Sequence, residues 1–145
     1  MNITPHFTWA EAQTTSTGAD NTIAAQVHKD RIINTAYNME IVRAVLLRNP
    51  VTINSWYRSP AVNQAVGGSP TSEHPLGAAV DFVCPAFGIP YQICQSLVQH
   101  AYILNYNQLI YEGAWVHISF PPDGVKGNNQ VLTYKNRVYH KGLVP

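Results

Sequence analysis

The stretch Ser72-Glu73-His74-Pro75-Leu76-Gly77-Ala78-Ala79-Val80-Asp81-Phe82-Val83 passes from a polar loop into an apolar run. Pro75 and Gly77 punctuate the loop, and residues 78–83 have the length and branched, apolar content of a short strand. Side chains alternate across a strand, so Asp81 shares its face with Ala79 and Val83 while Val80 and Phe82 point the opposite way. A carboxylate in so apolar a run needs a partner, because an unpaired buried charge is costly.

Working outward, residues 28–48 place Ile32, Ala36, Met39, Val42 and Leu46 at helical steps, the stripe of a helix packed on one side, and Asn49-Pro50 ends it. Residues 51–57 read as a strand with Val51, Ile53, Ser55 and Tyr57 on one face and Thr52, Asn54, Trp56 and Arg58 on the other; Ser59-Pro60 stops it. Pro90 suits the first turn of a helix over 90–104, with Ile93, Leu97, Val98 and Ala101 inward. Residues 109–112 and 115–120 flank Gly113-Ala114 as a hairpin, which puts Trp115, His117 and Ser119 on one face. Residues 131–139 form a further hairpin around Lys135-Asn136. The order of helices and strands, without regular βαβ alternation, predicts an α+β fold: helices on one face of a small, mostly antiparallel sheet whose other face is free for a site. One domain over 1–145 is expected, with a core of 3–122 and a hairpin tail of 123–145.

Composition fits a compact globule, with 46% hydrophobic and 12% charged residues. The formal charge of +1 and the interrupted basic cluster at Lys135 and Arg137 argue against nucleic acid as a partner. No run of about 18 apolar residues exists, which argues against a membrane span, and residues 1–11 lack the basic and apolar regions of a signal peptide. The expectation is a monomer made in the cytoplasm, with Cys84 and Cys94 as reduced packing residues.

His74, Asp81 and His117 are candidate metal ligands. Two imidazoles and one carboxylate leave a fourth tetrahedral position for water, the ligand count of a catalytic zinc rather than a closed structural one. Zinc held this way lowers the pKa of its water and polarises a carbonyl. The three come from separate elements, and a lone strand histidine is more often a satisfied polar residue. His6, His28, His100 and His140 are read that way.

Residues 72–81 fit the pattern S-x-H-x-x-G-x-A-x-D and resemble the signature of the zinc D-Ala-D-Ala carboxypeptidase family, which includes D-Ala-D-Ala dipeptidases and the L-alanyl-D-glutamate endolysins of bacteriophages. Ser55-Trp56-Tyr57-Arg58-Ser59-Pro60 resembles its S-G-Y-R-S-P strand end. Asn63 with Val66-Gly67-Gly68-Ser69-Pro70-Thr71 resembles its N-x-x-V-G-G-S-P-T loop, and Trp115-Val116-His117-Ile118-Ser119 its W-V-H-x-S strand. Pro5-His6-Phe7-Thr8-Trp9-Ala10-Glu11 is similar to the N-terminal segment of a compact, often phage-encoded branch.

The resemblance implies one zinc per chain on His74, Asp81 and His117, and an Arg58 that binds substrate or stabilises the oxyanion. Trp56 stands where the family usually has Gly. In several relatives an acidic residue lies three positions before the last histidine, where this chain has Ala114; Glu112 matches a glutamate of the compact branch and is the preferred general base, ahead of Glu73 and Asp123. Ser72, Trp115 and Ser119 are expected beside the ligands or the substrate. The implied substrate is a peptidoglycan stem peptide or cross-link, cut at D-Ala-D-Ala, L-Ala-D-Glu or a cross-bridge, by an endolysin or virion-borne enzyme acting on the wall. The alternative is a zinc-containing binding or scaffold module without catalysis, as in the related domain of hedgehog signalling proteins.

Overall fold

The computed structural model describes all 145 residues. Two short strands, β1 (Asn2–Thr4) and β2 (Phe7–Thr8), pair antiparallel and lead into a single turn of helix, α1 (Trp9–Ala12). Thr8 starts that turn: its hydroxyl accepts from the Glu11 N–H at 3.1 Å, and the Glu11 carboxylate accepts from the Thr8 N–H at 2.9 Å. Each satisfies an N–H that the first turn would otherwise leave unpaired.

The long helix α2 (Gln26–Val45) carries the expected stripe, with Ile32, Ala36, Met39 and Val42 fully buried and Leu46 buried just beyond its end. It stops before Asn49-Pro50 because Leu47 and Arg48 adopt positive φ and the Arg48 N–H turns back to the Arg43 carbonyl. Next come β3 (Thr52–Ser55), α3 (Pro60–Ala65), a 3₁₀ turn (His74–Leu76), β4 (Ala79–Val83) and α4 (Pro90–Gln99). Four strands complete the chain: β5 (Gln108–Tyr111), β6 (Val116–Ser119), β7 (Gln130–Lys135) and β8 (Val138–Lys141).

The main sheet has the order β3-β4-β6-β5-β7-β8, and only β5 and β7 run parallel. One core joins the stripe of α2, Ile93, Cys94 and Leu97 of α4, and Val80, Phe82, Leu109, Val116 and Ile118 of the sheet. The fold is therefore α+β with helices on one sheet face. The opposite face, where Asp81, His117, Ile110 and Leu132 point, lines a cleft of about 690 Å³.

Four local expectations are corrected. α4 ends at Gln99, and residues 100–104 continue as i→i+3 turns. Its buried face keeps Ile93 and Leu97 but takes Cys94 between them, while Val98, at the margin of that face, is exposed. Ser59-Pro60 starts a helix, the strand having ended already at Ser55: the Ser59 hydroxyl accepts from the Val62 N–H at 3.2 Å and Pro60 occupies the first turn, where its missing N–H costs nothing. In β3 the register slips between Ile53 and Ser55, so Ile53 opposes Phe82 on the core face while Ser55 opposes Asp81 on the cleft face. This bulge undoes the expected alternation and sends Trp56 into the core.

The tail hairpin forms one residue later than expected, around Asn136 and Arg137, with Lys135 still in the strand opposite Val138; both turn residues have positive φ, as a two-residue hairpin turn requires. Its first strand pairs with β5, so the tail widens the sheet that holds the cleft. Cys84 and Cys94 are buried free thiols, and burial pushes Cys94 up to about 12, out of reach of reaction near neutral pH.

Candidate metal centre

His74 is held from several sides. Its turn closes on Gly77 at φ 79°, a left-handed conformation that glycine adopts without strain. A Cβ there would also stand 2.6 Å from Ile32 Cγ1 and 3.3 Å from the His28 carbonyl of α2. The Gly77 carbonyl accepts from Thr35 Oγ1 at 2.9 Å and from the Trp56 indole at 3.0 Å. Trp56 is thus a core pillar under the turn, away from the cleft floor, and its own carbonyl lies 2.7 Å from His74 Nδ1. A carbonyl can only accept, so Nδ1 carries the proton and Nε2 is left with a lone pair.

That Nε2 is buried and has no hydrogen-bond partner. It stands 3.2 Å from Asp81 Oδ1 without the geometry of a hydrogen bond. His117 Nδ1 lies 2.9 Å from the same oxygen, because Asp81 and His117 are cross-strand partners of β4 and β6. The donor atoms of His74, Asp81 and His117 all fall within 4.8 Å of one another, and all three residues are buried. Donors about 2.0–2.2 Å from a tetrahedral ion stand roughly 3.3–3.6 Å apart. A buried imidazole lone pair with nothing to accept is what a cation would satisfy, so the residues fit a divalent metal.

The electrostatics agree. Burial pushes His74 below its ordinary pKa, outweighing the pull of Asp81, and favours the neutral ring that can donate a lone pair. Burial opposes ionisation of Asp81, but His74 and His117 outweigh it and hold the carboxyl below the usual carboxylate range.

Arg58 is no surface ion pair. Its Nη2 donates to Asp81 Oδ2 at 3.1 Å, its Nε to Ser55 Oγ at 3.1 Å and its Nη1 to Asn63 Oδ1 at 3.4 Å. The β3 bulge is what turns Ser55 toward it. A guanidinium carries five N–H groups, so donors remain for a bound group on the cleft side.

Glu112 lines the same cleft just past β5, and the exposed Trp115 donates its indole N–H to Oε2 at 2.9 Å. Burial pushes its carboxyl above the usual range and the charge of Asp81 adds to this, with His117, Trp115 and Arg58 acting in opposition. Ser72 accepts the His74 N–H at 3.2 Å. Ser119 is fully buried and donates to Glu73 Oε1 at 2.8 Å, while Asn107 donates to Oε2 at 3.1 Å. Both oxygens of Glu73 are therefore occupied in strapping the His74 loop to the sheet. Asp123 is exposed and lies off the cleft.

A family model described as Peptidase M15 matches residues 5–119. The chain belongs to the peptidase M15 family. Membership makes it a metallopeptidase of a zinc-dependent family whose members act on peptidoglycan peptides, in accord with the buried His-Asp-His group. A search of curated proteins finds no match. No helix is long and apolar enough to cross a membrane.

The other histidines stand apart from the M15 centre: His6 pairs with Glu40 at 2.8 Å, His100 Nδ1 lies 2.7 Å from the Ser96 carbonyl, and the His28 ring packs on Tyr57. Sequence reasoning missed the outer cleft wall. Gln108, Gln130, Leu132, Tyr134, Tyr139 and Lys141 all line it. Gln130, Leu132 and Tyr134 do show a period of two, but nothing local says that their strand pairs with β5.

Proposed function

We propose that the protein is a zinc peptidase that hydrolyses an amide in peptidoglycan stem peptides or cross-links, with His74, Asp81 and His117 as the metal ligands. The observation that carries this reading is the orphaned, buried Nε2 of His74 facing Asp81 Oδ1 and His117 in a cleft that also holds Glu112. Bound there, zinc supplies Lewis acidity, acidifying a coordinated water and polarising the scissile carbonyl.

The chain's own groups do the rest. Glu112 takes the proton of the attacking water and returns it to the leaving amine; the raised pKa of its carboxyl suits both halves of that task. Arg58 holds Asp81 through Oδ2 and turns its remaining N–H groups toward charge that develops on the substrate oxygen. Ser72, and Ser119 through Glu73, fix the loop that aims His74, and Trp115 orients Glu112. The presence of both Arg58 and Glu112 on the cleft favours an enzyme over a binding or scaffold module. The phage lysin setting belongs to the same proposal and rests on the likeness of residues 5–11 to the compact branch.

The test is to incubate the zinc-loaded protein with purified peptidoglycan and identify the newly freed termini by mass spectrometry, beside metal analysis of the dialysed protein. One zinc per chain and one class of new amine and carboxyl termini are expected. A metal-free protein, or an intact wall in the presence of bound zinc, would overturn the reading.

A further inference from the structure

The strand registers align one row of side chains across the cleft floor. Asp81 opposes His117, His117 opposes Ile110, Ile110 opposes Leu132, and Leu132 opposes Lys141. All five line the cleft. The row thus runs from the metal centre across an apolar middle to a lysine on the edge strand. Beside it, Tyr134 and Tyr139 oppose one another on β7 and β8 and meet edge to face, with ring centroids 4.7 Å apart.

Lys141 differs from the other charged residues of the cleft. The side chains of Arg58, His74, His117, Glu73 and Glu112 each make at least one hydrogen bond, and Asp81 makes several. The Lys141 ammonium enters no ion pair and no hydrogen bond, although its cross-strand neighbour is Leu132 and its strand ends the sheet. Both strands of this wall, β7 and β8, lie after residue 119, where the M15 match ends.

We infer that Lys141, with the Tyr134–Tyr139 pair, forms an outer subsite that recognises a free carboxylate on the peptide substrate, remote from the bond that is cut; this rests on the peptidase reading above. From His117 to Lys141 the row crosses three strand spacings, roughly 14 Å at about 4.8 Å each. An extended peptide advances about 3.3 Å per residue, so the carboxylate belongs to a residue roughly four positions from the scissile amide, or three once the lysine side chain reaches inward. Ile110, buried, and Leu132, half-buried, make the floor beneath the intervening residues apolar and so suit short apolar side chains there. The tyrosine pair supplies a rigid apolar flank that fixes the peptide's direction.

The test uses two synthetic wall peptides that differ only in having a free carboxylate or a carboxamide at that distance from the cleaved bond. Their affinities for the zinc-loaded wild-type chain and for Lys141→Met are measured by calorimetry, and hydrolysis is followed in the same samples. The wild type should prefer the carboxylate by about fivefold, as expected for one partly exposed ion pair. The preference should vanish in Lys141→Met and persist in Lys141→Arg. Equal affinity of the wild type for both peptides, or a preference unchanged in Lys141→Met, overturns the subsite while leaving the peptidase reading intact. A lysine-dependent preference without hydrolysis supports the subsite and overturns the peptidase reading. Peptides that neither bind nor are cut overturn both.

Discussion

Across the cleft floor, β3, β4 and β6 carry Ser55, Asp81 and His117, whereas β7 and β8 carry Leu132, Tyr134, Tyr139 and Lys141. Asp81 and His117 are buried, Ser55 is half-buried, and all three are tethered: Asp81 alone is contacted by Arg58, His74 and His117 within 3.2 Å. On the outer side, every residue of β8 is exposed and Lys141 has no partner. Groups that must hold a metal need positions fixed to a fraction of an ångström, which only burial and a second layer of hydrogen bonds supply. Groups that meet one part of a long substrate can stay solvated until it arrives. The inner half lies within the M15 match and the outer half beyond it.

If this division is right, damage to the inner half should be near total and damage to the outer half graded. His117→Ala should give the largest effect. Two protein donors remain, so zinc content after dialysis should fall to background and hydrolysis should disappear. Its melting temperature should match that of chelator-treated wild type, since both forfeit the stabilisation that a ligand of the folded state supplies. Retention of stoichiometric zinc would break the comparison at its centre.

Glu112→Gln should keep zinc and fold but lose about 10²- to 10⁴-fold in kcat, because the amide preserves size and cannot take a proton. Turnover within about threefold of wild type, far inside that range, would assign the proton transfer elsewhere.

Gly77→Ala tests the loop that aims His74. The new methyl meets Ile32 and the His28 carbonyl at a left-handed φ, so denaturant unfolding should show a loss of about 1–3 kcal/mol and zinc should exchange faster. An unchanged midpoint would mean that the turn is not pinned against α2. Tyr139→Ala, on the outer wall, should give the smallest effect: stability within about 0.5 kcal/mol of wild type and a rise in KM of a few-fold without change in kcat. A collapse of kcat there would erase the distinction between the two halves.

The sequence by itself determined whatever depends on local pattern. The spacing of Ile32, Ala36, Met39 and Val42 marks the buried face of α2, alternation in 78–83 puts Asp81 opposite the core, and Asn136 marks the tail turn. The His74, Asp81, His117 set was legible because its residues sit in stretches whose likeness to the family is long and specific. Other features were decided by contacts between residues far apart in the chain. The β3 bulge lets Trp56 fill the core beneath Gly77 while Ser55 reaches Arg58, and α4 places Cys94 in the core it shares with the sheet. Glu73 could be read from sequence only as a spare acid; Ser119 and Asn107, brought to it by β5 and β6, make it a strap. The outer wall depends most on tertiary structure. The parallel pairing of β5 with β7 joins segments some twenty residues apart, and such a pairing is chosen by the burial that the whole sheet achieves, which no local run of residues encodes.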